Sequence, residues 1–140
     1  MSFKSNNKFH QKLYINKPLI NITMTATLET DLVLDNLIKE FGESVYFILI
    51  TSENGAVIKS HISDEFNKSS IGLNMSQLYE LAEEIASEIG VHNPDFNVIH
   101  SDNFYILSIK ILGNIIITLV EDQLDFSRIF EIINNCIITN

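Results

Sequence analysis

Very short links between apolar, β-branched runs restrict the fold of this chain more than any other feature of its sequence. Residues 52–55, Ser-Glu-Asn-Gly, separate a run at Val45–Thr51 from one at Ala56–Ser60. Three further runs follow Pro94, at Phe96–His100, Phe104–Ile111 and Ile115–Val120, with Asp102-Asn103 and Gly113-Asn114 as links. Such links close antiparallel hairpins, because parallel neighbours need a crossover of about a dozen residues or more. The sequence therefore predicts two antiparallel groups, the second of them a three-strand meander.

Segments with helical periodicity lie before and after these strands. In Leu28–Phe41 the apolar residues recur at helical spacing, and Gly42 follows where a left-handed C-terminal cap is favoured. A last helix fits Leu124–Ile138, which carries aromatic and aliphatic residues along one side. The predicted order is helix, two strands, helix, three strands, helix, which is an α+β arrangement.

The middle helix carries the most distinctive pattern. Asn74 is a suitable N-cap with Gln77 three residues on, Gly90 closes the segment, and the polar stretch 61–73 before it is predicted to be a loop. One apolar stripe runs along this helix, formed by Leu78, Leu81, Ala82, Ile85 and Ile89. Five polar residues cover most of the remainder and predict a solvated acidic face: Gln77, Glu80, Glu83, Glu84 and Glu88.

Length and charge predict one domain, residues 28–140, preceded by a basic and flexible extension at residues 1–27. The formal charge of −9 is uneven, because residues 1–28 contain four lysines and no acid, whereas the rest holds all 18 acids. So acidic a body repels phosphate backbones, which argues against nucleic-acid binding. The extension contains an alternating stretch at 12–23 that resembles one further strand, and it suits either a solubilising tail or an arm that binds a partner or its own domain.

The sequence predicts a cytoplasmic protein without stable membrane attachment. It shows no secretory signal and no apolar stretch of 18 residues, and Ser2 stands where myristoylation requires glycine. Four lysines near an anionic membrane contribute at most about 4 kcal/mol, which the acidic body opposes. The single Cys136 fits a reducing compartment and, in an apolar helical stretch, is predicted to be buried and inert.

No constellation for catalysis or cofactor binding is apparent. The sequence lacks a glycine-rich phosphate loop, a GxSxG elbow and an HExxH motif. His10, His61, His92 and His100 include no pair at i, i+4 spacing that would close on a metal. We therefore expect a protein that is not an enzyme and has no cofactor or metal site.

The stretch LDNLIKEFGESVYFILITSENGAVIKS (Leu34–Ser60) resembles the opening of the roadblock family, which includes dynein roadblock light chains and GTPase-regulating relatives. A Ser-x-Asn-Gly turn stands in place of the family's usual polar-Asp-Gly, and the later helix and meander follow at the expected distances. The resemblance implies a five-stranded antiparallel sheet with the middle helix on one face and the first and last helices on the other. It also implies dimerisation through the middle helix and third strand. Carried onto this chain, those positions are Leu78, Leu81, Ala82, Ile85, Ile89, Asn97, Val98, Ile99 and His100.

The same resemblance implies a non-catalytic dimeric scaffold or regulator that binds a Ras-like small GTPase or a larger complex containing one. Its dimer partner would be a second copy or another roadblock protein. No arginine finger is expected, because the only arginine is Arg128, in the last helix. The alternative is a longin-like or profilin-like domain that senses a small molecule or peptide, since these folds combine similar elements.

Overall fold

The computed structural model describes residues 27–138, which form three α-helices and five β-strands. In chain order these are α1 (Thr30–Phe41), β1 (Val45–Ser52), β2 (Val57–His61), α2 (Lys68–Ile89), β3 (Asn97–Ser101), β4 (Phe104–Ile111), β5 (Asn114–Glu121) and α3 (Phe126–Ile138). A short 3-10 turn at Gly42–Ser44 follows α1. The order of helices and strands predicted from the sequence is confirmed.

All five strands form one antiparallel sheet in the order β2-β1-β5-β4-β3. The two hairpins of the predicted meander set the β3-β4-β5 side, and β5 then pairs with β1 to join the two groups. Strands β2 and β3 are therefore the edges. The third strand of the chain lies at an edge, as the family resemblance implied.

The larger part of the core lies between α1, α3 and one face of the sheet. Fully buried aliphatic side chains from all three layers meet there. They include Val33 and Leu37 of α1, Ile129 and Ile133 of α3, and Ile48, Ile50, Leu107 and Ile116 of the sheet. At roughly 1.5 to 3 kcal/mol for each fully buried side chain, this layer provides most of the hydrophobic stabilisation.

A smaller core lies between α2 and the opposite face. Met75 and Tyr79 of α2 pack on Phe47 and Leu49 of β1, and Ile115 and Ile117 of β5 complete the cluster. The predicted arrangement, one helix on one face and two on the other, is confirmed.

The predicted start of the middle helix was wrong. Helix α2 begins at Lys68, and its N-cap is Asn67, whose side-chain oxygen accepts a hydrogen bond of 3.1 Å from the Ser70 amide. Asn74, the predicted N-cap, lies inside the helix, so much of the predicted loop at 61–73 is helical. The small and polar residues at the start of α2 do not show the apolar spacing of a helix, and tertiary contacts fix its first two turns.

The second link of the meander also differs from the prediction. The turn is formed by Leu112 and Gly113, at φ 50° and 80°, and Asn114 already belongs to β5. There Asn114 pairs with Ile111, and its side-chain amide donates to the Thr51 carbonyl oxygen at 3.1 Å. This side-chain bond ties the start of β5 to the end of β1.

The predicted extension, apart from residue 27, lies outside the described residues, and so does its alternating stretch at 12–23. Within residues 27–138, no helix has both the length and the apolar character needed to cross a membrane.

Two glycines allow α2 to sit directly on the turn between β1 and β2. A Cβ atom on Gly72 would lie 2.6 Å from the Gly55 carbonyl oxygen, and one on Gly55 would lie 2.8 Å from the Gly72 carbonyl oxygen. Gly55 also has φ 92°, a value that other residues rarely adopt. The first turns of α2 are thus held against the hairpin backbone at a distance that only glycine permits.

We predict that Gly72→Ala lowers the free energy of unfolding by about 1 to 3 kcal/mol, because the added methyl group must push α2 away from the hairpin. This loss should exceed the gain of up to about 1 kcal/mol that alanine brings to a helix. Urea unfolding measures the difference. Ser87→Ala, an exposed change in the same helix, is the control and should be neutral or slightly stabilising. A Gly72→Ala protein as stable as the parent would contradict the close contact.

A second prediction concerns Cys136, which is buried as expected from the sequence. Burial, assisted by the carboxylate of Glu40, raises the pKa of the Cys136 thiol to about 11. An unfolded thiol has a pKa of about 8.5, so the unfolded chain loses this proton first as pH rises. The stability linked to the protonated thiol should be intact below about pH 8.5 and lost progressively up to about pH 11. The unfolding free energy of the parent should therefore decline over this range relative to Cys136→Ala, and parallel pH profiles would contradict the prediction.

Candidate interaction surface

The apolar stripe of α2 is only partly used for packing inside the domain. The residues that α2 buries against the sheet lie along one line, and they are Gly72, Met75, Tyr79 and Ala86. The predicted stripe lies beside this line. Three of its members keep half or more of their surface exposed, Leu81 at 53%, Ile85 at 50% and Ile89 at 66%.

The α2 face of the sheet also carries exposed apolar residues at its β3 edge. Leu78 and Ile106 both pack against the α2-side cluster, although each is only partly buried. Ile106 is the Cα partner of Ile99 in the β3-β4 pairing, so both side chains lie on the α2 face of the sheet. Ile99 itself is 40% exposed. We call this apolar region, formed by Leu78, Leu81, Ile85, Ile89 and Ile99, the α2–β3 surface.

The other residues predicted for this interface do not all share its face. Ala82 and Asn97 are partly buried at its margin. Val98 packs on the α1/α3 core, and the imidazole of His100 bonds with Asp122 at 3.0 Å and contacts the Tyr105 ring. Strand alternation thus directs the side chains of Val98 and His100 to the opposite face. Only the backbone groups of Val98 and His100, and not their side chains, can take part in an interface on the α2 side.

The two edges of the sheet differ in the charges that they carry. On β2, Lys59 forms a salt bridge of 2.8 Å with Asp31 of α1, and Lys68 donates to the Ser60 hydroxyl at 3.2 Å. Charged side chains of this kind discourage pairing with another chain. The sequence of β3, Asn-Val-Ile-His-Ser, contains no lysine or carboxylate. Of the two edges, β3 is the one suited to pair with a further strand.

A buried tyrosine fixes the position of α2 relative to β3. The Tyr79 hydroxyl donates to the Pro94 carbonyl oxygen at 3.1 Å and accepts from the backbone amide of Lys110 at 3.2 Å. Lys110 lies on β4 two residues beyond Ser108, the last partner of β3. The Tyr79 hydroxyl therefore links the segment before β3 to β4, just beyond the last backbone pair of these two strands.

The side chain of Lys110 adds an ion pair to the same contact. Its ammonium nitrogen lies 3.1 Å from a Glu83 carboxylate oxygen, 3.5 Å from one of Glu53 and 5.7 Å from the centre of the Tyr79 ring. Burial opposes the charge on Lys110, but Glu83 and Glu53 outweigh it and raise the pKa of the ammonium group. Glu83, predicted to lie on a solvated acidic face, is instead a partly buried partner of the sheet. Glu80, Glu84 and Glu88 are exposed as predicted.

A shallow crevice of about 350 Å³ lies beside this ion pair, lined among others by Glu53, Tyr79, Glu80 and Lys110. Three or more histidine, cysteine or carboxylate side chains do not gather anywhere in residues 27–138 in a way that would hold a metal ion. The α2–β3 surface includes four aliphatic side chains that are 40% to 66% exposed, and exposed apolar patches of this kind are typical of interaction sites.

Solved structures share this fold. MglB of Myxococcus xanthus superposes with a TM-score of 0.67 at 12% identity, over 74% of this chain and 85% of that chain. A roadblock/LC7 domain from Streptomyces avermitilis superposes with a TM-score of 0.64 at 15% identity, over 81% and 91%. The gliding protein MglB from Thermus thermophilus gives 0.63 at 7% identity, over 78% and 87%. No family model and no curated protein matches the sequence. These likenesses establish that the chain has the roadblock fold.

We predict that Tyr79→Phe lowers the free energy of unfolding by about 1 to 3 kcal/mol, because it leaves the Lys110 amide and the Pro94 carbonyl without this buried partner. Tyr46→Phe is the matched control. Its hydroxyl bonds with Glu121 at 3.1 Å on the surface, so its loss should change stability by less than about 0.5 kcal/mol. Equal effects of the two substitutions in urea unfolding would show that the Tyr79 hydroxyl is not a structural tie.

Proposed function

We propose that this chain is a non-catalytic roadblock domain that dimerises through the α2–β3 surface and binds a Ras-like small GTPase or a complex containing one. The observation that carries the proposal is that the α2 side of the sheet has both exposed aliphatic side chains, Leu81, Ile85 and Ile89 of α2, and a strand edge, β3, without lysine or carboxylate residues. A cytoplasmic location, in keeping with a single thiol that cannot form an internal disulfide, is part of the proposal.

The energetics of the surface support association. Burying the exposed half of one aliphatic side chain contributes roughly 1 kcal/mol, so four such residues on each of two copies contribute on the order of 8 kcal/mol. Loss of translational and rotational freedom costs about 4 to 15 kcal/mol. The two terms are comparable, so strand pairing at β3 would decide how tight the dimer is.

The geometry of β3 suggests how two copies would pair. In an antiparallel ladder, alternate residues direct their backbone groups toward the partner strand and away from it. A two-residue link makes the flanking pair, Ser101 and Phe104, a hydrogen-bonded pair. Hydrogen-bonded pairs alternate along the ladder, so Ser101, Ile99 and Asn97 direct their amide and carbonyl groups toward β4. Val98 and His100 therefore direct theirs to the free edge. A two-fold axis at Ile99 would let Val98 of each copy exchange hydrogen bonds with His100 of the other. The two Ile99 side chains would then pack together on the α2 face.

A regulator built in this way would act on a GTPase without supplying a catalytic group. Arg128 lies on α3, on the other side of the sheet from α2, and forms a salt bridge of 2.7 Å with Glu131 on the exposed side of that helix. It is therefore poorly placed to serve as an arginine finger for a partner at the α2–β3 surface. Any stimulation would work by holding the partner's own switch segments in one conformation.

The alternative function, a sensor domain, requires a pocket that a small ligand can fill. The crevice beside Lys110 is the candidate, but the Glu83 and Glu53 carboxylates already neutralise its cation. A thermal-shift screen against small metabolites separates the two functions. A rise in melting temperature of several degrees that Lys110→Met abolishes would favour the sensor.

We predict that the protein has a mass near twice 15.9 kDa by light scattering on a sizing column and that Leu81→Glu makes it monomeric. The substitution places a carboxylate in the middle of the α2–β3 surface but outside the core. Leu32→Glu, at a similarly exposed leucine on α1, is the control and should remain dimeric. A folded parent that is monomeric at all concentrations would remove the homodimer from the proposal.

The GTPase part is tested separately. Small GTPases of the Ras-like class, loaded with GDP or a non-hydrolysable GTP analogue, are passed over the immobilised dimer. Binding that depends on the nucleotide would support the proposal. A stable dimer that retains no GTPase in either state would leave a roadblock dimer with another class of partner.

A further inference from the structure

The imidazole of His100 is held at the β3 edge in an orientation that leaves one ring nitrogen available. Its Nε2 atom lies 3.0 Å from a carboxylate oxygen of Asp122, and its ring centre is 4.8 Å from that of Tyr105. A carboxylate accepts hydrogen bonds, so Nε2 carries the proton and, in the neutral ring, Nδ1 carries the lone pair. Within residues 27–138, the bond to Asp122 is the one hydrogen bond that this ring makes.

This arrangement of histidine and carboxylate is typical of a metal ligand. Histidines that bind a metal through one ring nitrogen usually donate the other to a carboxylate, which fixes the tautomer and the direction of the lone pair. The side chain of His100 is 54% exposed and that of Asp122 only 27%. A metal ion can therefore reach the imidazole, but a single copy, over its described residues, does not gather the further side chains that would hold it.

The proposed dimer brings a second His100 to the same place. With Val98 of each copy opposite His100 of the other, the two His100 residues are diagonal neighbours across the joined strands. Both side chains lie on the face opposite α2, where His100 contacts Asp122 and Tyr105. Diagonal neighbours are about 7 to 8 Å apart, within reach of long side chains. Two imidazoles at this distance can share one metal ion, which zinc binds through nitrogen at about 2.0 to 2.1 Å.

The charges near His100 favour a cation. Residues 95–109 and 119–127, which contain His100, Asp122 and their neighbours along the chain, hold five carboxylates and no lysine or arginine. The five are Asp95, Asp102, Glu121, Asp122 and Asp125. Imidazole nitrogen suits zinc, copper and nickel, whereas magnesium and calcium prefer oxygen ligands. The matching ligand is therefore a divalent transition metal ion.

We infer that two copies of this chain bind a divalent transition metal ion such as zinc on their two-fold axis, through Nδ1 of His100 from each copy. Water would complete the tetrahedral coordination. Asp122 is a positioning residue, because its carboxylate fixes the ring that binds the metal. The inference rests on the proposed dimer and goes beyond it, since the metal would join the copies on the sheet face opposite the α2–β3 surface.

Titration calorimetry of the full chain with zinc chloride tests the inference, together with light scattering of the same samples. We expect one zinc ion for every two chains. His100→Ala should abolish this binding and leave the metal-free dimer intact, because the side chain lies on the face opposite the α2–β3 surface. His61→Ala, at an exposed histidine on β2, is the control and should bind zinc as the parent does.

Leu81→Glu tests whether two copies share the site. This variant, expected to be monomeric, should lose zinc binding although Leu81 lies on the other side of the sheet, because one copy has only one of the two imidazoles. Zinc bound by monomeric Leu81→Glu with the affinity of the parent would place the site within one chain and overturn the sharing.

Asp122→Asn tests the positioning residue. It should weaken zinc binding by about 10- to 100-fold and leave the dimer intact, as is typical when the carboxylate partner of a metal-binding histidine is removed. Asp102→Asn, at an exposed carboxylate in the β3–β4 turn, is the matched control and should change the affinity little. With cobalt(II) in place of zinc, the parent should show the visible absorption of a tetrahedral site, and Asp122→Asn should alter these bands even at saturating cobalt. Unchanged affinity and unchanged bands would overturn the role of Asp122.

The outcomes separate the metal site from the proposed function. A dimer that binds no zinc, or that binds it equally in the parent and in His100→Ala, would overturn the metal site and leave the α2–β3 dimer standing. A parent that is monomeric both with and without zinc would overturn the homodimer and, with it, the metal site.

Discussion

The sheet is about twice as wide as a helix, and this difference determines how many helices are needed to cover each of its faces. Five strands spaced about 4.8 Å apart form a surface of about 20 Å, and a helix with its side chains is only about 10 Å wide. Two helices, α1 and α3, therefore cover one face well, and the single helix α2 cannot cover the other. Aliphatic side chains near β3 remain exposed for this reason, and a dimeric partner is the simplest object that would complete the layer.

Helix α2 is positioned by polar and backbone contacts more than by its apolar stripe. At its start Gly72 rests on the hairpin backbone, and near its middle Tyr79 and Glu83 bind the end of β4 through Lys110. These contacts lie on one side of the helix and leave the aliphatic flank on the other side exposed. The shape of the α2–β3 surface thus depends on residues that are not part of it, so a substitution at Gly72, Tyr79 or Lys110 would also alter the surface that we propose for dimerisation.

The sequence predicted the strands more accurately than the details of the site. Two-residue links and β-branched runs are local signals, and they sufficed for the meander, whereas the position of β3 at an edge came from the family resemblance. The first two turns of α2 were missed because Ser69, Ser70 and Gly72 resemble a loop, and their helix depends on contact with a distant turn. The placement of Leu81, Ile85 and Ile89 on one stripe followed from helical spacing. No local pattern connects Tyr79 with Lys110, which are 31 residues apart. In contrast, strand alternation alone predicts that the side chains of Val98 and His100 lie on the sheet face opposite that of Ile99.

If copies pair as proposed, the different charges of the two sheet edges would limit how many of them can join. A chain with two open edges can add copies at both ends and grow without limit into a fibre. Here Lys59 and its partner Asp31 occupy the β2 side, so only the β3 side is open to addition. Pairing of like edges about a two-fold axis uses up the open edge of both chains. In the proposed dimer, growth would end at ten strands, because each end of the joined sheet would carry the Lys59–Asp31 pair.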